Sequence, residues 1–177
     1  SSWLFNRNYL LKDNKNSLLA NVHYNLQILM QQTSNRKETF HHLNLVEHYA
    51  SYLPSEERNV LLSRVITGKG YSYLRQDKLD SAIWILQSGE KNPDFSVSFK
   101  PFFNMVLGSV YVEKGDYDKA INYLVKAVFN SNSRNVTTRS AFKLSEVYRI
   151  KNRIDSAYFF AQMLLDTLRI FGSANYE

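Results

Sequence analysis

The feature that most limits how this chain can fold is a pattern written three times at nearly constant spacing. The segments G-Y-S-Y-L-R-Q-D-K-L-D-S-A, G-S-V-Y-V-E-K-G-D-Y-D-K-A and S-E-V-Y-R-I-K-N-R-I-D-S-A end on Ala82, Ala120 and Ala157, which lie 38 and 37 residues apart. In that register Gly70, Gly108 and Ser145 coincide, as do Tyr73, Tyr111 and Tyr148, and Asp80, Asp118 and Asp155. A period of this size belongs to a helix pair that stacks on copies of itself to bury its apolar face. It predicts stacked two-helix units rather than one globular core.

Each repeated position has a physical task. The small residues Gly70, Gly108 and Ser145 let a neighbouring helix approach closely, and the tyrosine three residues later lies on the same face and fills the space beside it. Asp77, Gly115 and Asn152 are of the types that tolerate a left-handed backbone, so they should end the first helix of each unit. Leu79, Tyr117 and Ile154 are expected to plug the seam between the two helices. Asp80, Asp118 and Asp155 place a negative charge in the first turn of the second helix, at the positive end of its dipole. Ala82, Ala120 and Ala157 are its close-contact points, with Leu86, Leu124 and Ala161 one turn on.

This layout resembles the tetratricopeptide repeat, in which a small residue is followed by tyrosine three later, alanine twelve later and a large apolar residue four beyond that. The resemblance covers roughly 63 to 171, and 101–134 fits best. The family's early tryptophan position holds Ile66, Asn104 and Ala141 here. The closing proline is displaced to Pro93 in the first unit and missing from the other two. The period exceeds the family's 34, so longer first helices or linkers are expected. The resemblance implies an all-α, right-handed superhelix, a solenoid of about four helix pairs in a single domain. Its units are 55–96, 97–134 and 135–171, preceded by degenerate N-terminal helices over 1–54.

Composition agrees with an all-α chain. Apolar residues make up 44% and no alternating β-branched run occurs, so a packed helical core is affordable. Pro54 and Pro93 should follow second helices and Pro101 should sit at the start of a first helix. Cysteine is absent, which excludes disulfides, thiolate metal sites and cysteine nucleophiles. No apolar run of spanning length exists, so no membrane insertion by this segment is expected. The chain opens at Ser1 and ends six residues after Phe171, and it is expected to be a fragment of a longer or processed protein.

Before the clear repeats, a helix from Asn16 or Ser17 to Gln31 is expected to turn Leu18, Leu19, Val22, Leu26, Leu29 and Met30 to one face. A second, from Ser34, should bury Phe40, Leu43, Val46, Ala50 and Leu53. Trp3 to Leu11 predicts a separate short helix packed on this pair. Ser55, Glu56 and Glu57 are a good start for the next helix.

Chemistry is sparse. His41, His42 and His48 cluster on one helix with Glu38 and Glu47, but the HExxH pattern is missing, and no metal or cofactor is expected. Gly68-Lys69-Gly70 lies inside a helical repeat and lacks the spacing of a phosphate loop. No nucleophile motif or catalytic constellation stands out, so no enzymatic activity is expected. The net charge of +6 is spread along the chain, densest at Arg149, Lys151 and Arg153, which makes nucleic acid the weaker reading of it.

The resemblance places function in the groove lined by first helices, at positions two, five and nine of each unit. These are Arg64, Thr67 and Tyr71; Phe102, Met105 and Ser109; and Arg139, Phe142 and Glu146. The set suits a partner protein or peptide with an apolar anchor and polar flanks. One branch of the family clamps a C-terminal carboxylate. Arg139 and Lys143 fit its basic part, but Thr67, Tyr71 and Val106 replace the lysine and two asparagines it needs, so that clamp is not assigned. Long-period, tyrosine- and asparagine-rich repeats with D-[SK]-A turns also look like the extracytoplasmic repeat regions of bacterial membrane-anchored regulators. That resemblance implies a periplasmic sensory or interaction part of a signalling or transcription regulator. The alternatives are a cytosolic chaperone-like or scaffold adaptor and, behind it, an RNA-binding solenoid.

Overall fold

The computed structural model describes the backbone of residues 2–33 and 36–173 and the side chains of 15–33, 37–167 and 169. Among these, eight α-helices follow one another: α1 (Ser2–Gln32), α2 (Arg36–Ala50), α3 (Ser55–Leu74), α4 (Leu79–Glu90), α5 (Lys100–Lys114), α6 (Tyr117–Phe129), α7 (Arg134–Ile150) and α8 (Ile154–Ser173). A single 3-10 turn, Val97–Phe99, lies between α4 and α5. The described residues hold no strand. Two compact units result, Ser1–Phe99 and Lys100–Glu177.

In the first unit α2 packs between α1 and α3, and α3 packs on α4. In the second, α5, α6, α7 and α8 pack in succession and α5 also touches α7. This is stacking of helix pairs, each burying one face on its neighbour.

The turns within pairs follow one design. Asp77, Gly115 and Asn152 take φ of 57°, 78° and 55°, the left-handed region expected at these positions. That reversal lets the amide of the next residue reach back to the repeat tyrosine's carbonyl. Lys78 N–H donates to Tyr73, Asp116 to Tyr111 and Arg153 to Tyr148, at 3.0, 3.0 and 2.8 Å. Carbonyls left over at the helix ends are satisfied by this arrangement. The second helix then starts at once, with Asp80, Asp118 or Asp155 in its first turn. On α6 the Asp116 carboxylate also accepts the Lys119 N–H at 3.3 Å, capping the helix start.

Close approach within pairs is fixed by a paired choice of residues. A Cβ placed on Gly70 would meet Leu86 Cγ at 2.6 Å, and one on Gly108 would meet Leu124 Cγ at 2.7 Å. Leu86 and Leu124 occupy the same repeat position and are fully buried. In the third copy Ser145 replaces the glycine and Ala161 replaces the leucine, so the volume is moved rather than added.

The repeat tyrosines pack by the same logic. Tyr111 stacks on Tyr123 and Tyr148 on Phe160, both at 5.6 Å between ring centroids. The equivalent position of the first copy holds Ile85, and Tyr73 packs instead on Phe40 of α2, at 5.1 Å. The extra length of the first unit lies in α3, at 20 residues, and in the linker after α4. There Phe95 is buried and Ser96 N–H donates to Ser63 Oγ at 2.9 Å.

The N-terminal pair departs from expectation in one helix. On α2, Leu43, Val46 and Ala50 are fully buried and Leu53 follows them inward. But α1 runs unbroken through the segment expected to hold a separate short helix and a cap at Asn16 or Ser17. The packing of Trp3 to Leu11 side chains lies outside the described residues. Leu18, Val22 and Leu29 face outward, while Ala20 and Gln27 are buried. The seam of α1 with α3 is therefore polar, turned from the leucine-rich face that periodicity picked out, while Ala20 joins the apolar core of α2 and α3. Ile154, expected to plug a seam, is 60% exposed because no described helix covers that side of α8.

Candidate functional site

The first helices of the pairs carry the residues singled out for partner binding, and each unit presents its own set. In the first unit that set lies on α3, against α1. The two helices run in the same direction, because their contacts climb together. Ser17 donates to Glu57, Arg64 to Asn21 Oδ1 at 3.1 Å, and Gln31 to Ser72 Oγ at 2.9 Å. The Arg64 guanidinium also sits 5.1 Å from the Tyr24 ring centre. Burial pushes the Tyr24 hydroxyl's pKa up, and the Arg64 charge opposes that shift.

Arg64 is thus engaged by α1 on two sides rather than held out to solvent. Thr67 is fully buried, with its hydroxyl returned to the Ser63 carbonyl at 2.8 Å. Tyr71 is half-buried. Beneath them, Gln27 Oε1 and Arg64 Nε are buried polar atoms without a hydrogen-bond partner. Lys69, on another side of α3, is tied to Glu47 of α2 at 2.7 Å.

In the second unit the set lies on α5 and α7. Met105 and Ser109 are buried, and the Ser109 hydroxyl donates to the Met105 carbonyl at 2.7 Å. Phe102 and Glu146 are half-buried, and Arg139 is exposed. Phe142 is 50% exposed. Residues 139, 142 and 146 are three and four apart, so they share one face of α7. Lys143 crosses from α7 to Glu113 of α5 at 3.5 Å. Of the nine expected groove residues, Thr67, Met105 and Ser109 serve packing: neighbouring helices come close enough to cover them. Arg139 and Phe142 are the two that stand open.

Sequence reasoning missed the polar seam of Ser17, Asn21, Tyr24, Gln27 and Gln31. Its signal was present in their spacing of three and four residues, but leucines competed for the same helix. It also missed that His23 joins the α2 histidines. His23 Nδ1 and His42 Nδ1 lie 3.1 Å apart, one donating to the other, and His23 stacks on Tyr49 at 5.6 Å. Burial first, then the charges of His42 and His41, lower the His23 pKa. Among the described residues no three His, Cys, Asp or Glu side chains are grouped as a metal would require. Among them, too, no helix is long and apolar enough to cross a membrane.

Residues 103–128 match the family model described as tetratricopeptide repeat. No curated protein matches the chain. The match runs from α5 to the end of α6, across the helix pair whose Gly108–Leu124 contact, Tyr111 stack and left-handed Gly115 were derived above. Repeats of this kind serve as protein-interaction scaffolds, and it is the α5–α6 helix pair that carries the tetratricopeptide-repeat match.

Proposed function

We propose that this chain is a non-enzymatic scaffold that binds a protein or peptide on the open faces of its first helices. The observation that carries the reading is Phe142, half exposed on α7 with Arg139 and Glu146 on the same face. An aromatic ring held between a cation and an anion is the make-up of an interface anchor. Covering its exposed half removes apolar area worth about 1 kcal/mol. Phe102, half-buried on α5, extends the proposed contact within the same unit.

The finer reading follows the resemblance of the long-period repeats to bacterial membrane-anchored regulators. On it, the scaffold is the extracytoplasmic sensory part of a signalling or transcription regulator. A cytosolic adaptor is the alternative, and a fusion to a reporter active only outside the cytoplasm separates the two. The binding reading is tested by affinity capture with the wild-type chain and with Phe142→Glu. Loss of a captured protein from a variant that keeps its helical circular dichroism supports it. Equal capture by both removes the α7 face from the interface.

A further inference from the structure

The outer side of α8 repeats a surface that is covered elsewhere in the same unit. On α6, Tyr117 and Ile121 are half-buried and Val128 is 5% exposed, and α7 packs on this helix. The 37-residue shift maps that row onto Ile154, Tyr158 and Leu165, which are 60%, 70% and 48% exposed. A charge repeats with the row. Lys151, just past the end of α7, reaches Asp118 in the first turn of α6 at 2.6 Å. The equivalent Asp155 stands exposed in the first turn of α8.

We propose that the outer face of α8 docks an amphipathic helix of another protein. The geometry of α7 on α6 specifies that helix. It lies antiparallel to α8, sets an apolar stripe on Ile154, Tyr158 and Leu165, and carries a lysine or arginine just past its last turn, over Asp155. Three large apolar side chains left about half or more open along one helix, at 48% to 70%, are more than scattered surface residues explain. The charge fixes the direction of the incoming helix, as such pairs fix register more than they add affinity. This surface is separate from the α7 face of Phe142, so failure of one leaves the other standing.

The test uses the whole chain and a synthetic peptide of residues 134–152, whose binding is followed by fluorescence anisotropy. The peptide is expected to bind the wild type and the Phe142→Glu variant alike, and Tyr158→Glu about tenfold or more weakly, with unchanged circular dichroism. Asp155→Lys should weaken binding roughly threefold, and a peptide carrying Lys151→Glu should recover it. Tyr158→Glu binding as tightly as wild type overturns the proposal, as does the absence of wild-type binding up to about 1 mM peptide. Self-association of the chain alone, abolished by Tyr158→Glu in light scattering, also overturns it by making a second copy the occupant.

Discussion

Replacing Gly108 by alanine sets two known effects against each other. Alanine favours a helix interior over glycine by about 1 kcal/mol. Here its methyl would lie 2.7 Å from Leu124 Cγ and 3.2 Å from the Leu124 backbone nitrogen. The first distance is about 0.7 Å short of the 3.4 Å at which ordinary contact begins. Leu124 cannot relieve this by turning its far end alone, because Cγ moves only with the whole side chain. With a fully buried leucine, overpacking should cost about 3 kcal/mol, the upper part of its usual range. The net expectation is a loss of about 2 kcal/mol, or roughly 10 °C in the melting of the second unit. Leu124→Ala alone should cost about 2–5 kcal/mol as a cavity. In that background Gly108→Ala should reverse sign and stabilise by up to about 1 kcal/mol, since the clash with the leucine side chain is gone, only the 3.2 Å contact with the backbone nitrogen remains, and the helix preference is unchanged. Urea unfolding of the four proteins of the cycle, followed by circular dichroism, measures both steps. Gly108→Ala as stable as wild type, or an equal effect in both backgrounds, would refute the reasoning.

Other residues give sharp tests by the same unfolding assay. Gly115→Ala should cost about 1 kcal/mol at φ 78°, whereas Asn152→Gly, at φ 55°, should be neutral or slightly stabilising. The lowered His23 pKa means that the unfolded chain takes up a proton at higher pH than the folded one. The stability of the first unit should therefore be full above about pH 6.5 and fall as the pH drops below it, and His23→Gln should flatten that fall. Gln27→Met should raise stability by about 1 kcal/mol, because it removes a buried amide oxygen that has no partner.

What could be read from the chain alone divides along a physical line. The left-handed turns at Asp77, Gly115 and Asn152 were legible because backbone conformation restricts residue type locally. So was the buried row Leu43, Val46 and Ala50, where periodicity and apolar character coincide. On α1 they do not coincide. Leu18, Val22 and Leu29 satisfy the periodicity, yet Asn21, Tyr24, Gln27 and Gln31 take the inner side. The choice was made by the facing helix: α3 offers Arg64, Ser72 and a carbonyl at Gly68. Polar partners on one helix can recruit a polar face on another, because hydrogen bonds offset the desolvation of both.

The same dependence on the neighbour limited the expected groove. Spacing assigned Thr67, Met105 and Ser109 to the correct helices, but exposure is set by how near the adjoining helix comes. That distance is fixed elsewhere, by small residues such as Gly68, where an added Cβ would meet Leu43 at 3.0 Å, and Gly108. Close packing admitted by those residues consumes potential binding positions and leaves fewer of them open. Arg139 and Phe142 on α7 stay open while Ser140, Ala141 and Leu144 of the same helix go inward. A functional surface on this fold is therefore what remains after packing, and its limits are set by where the small residues fall.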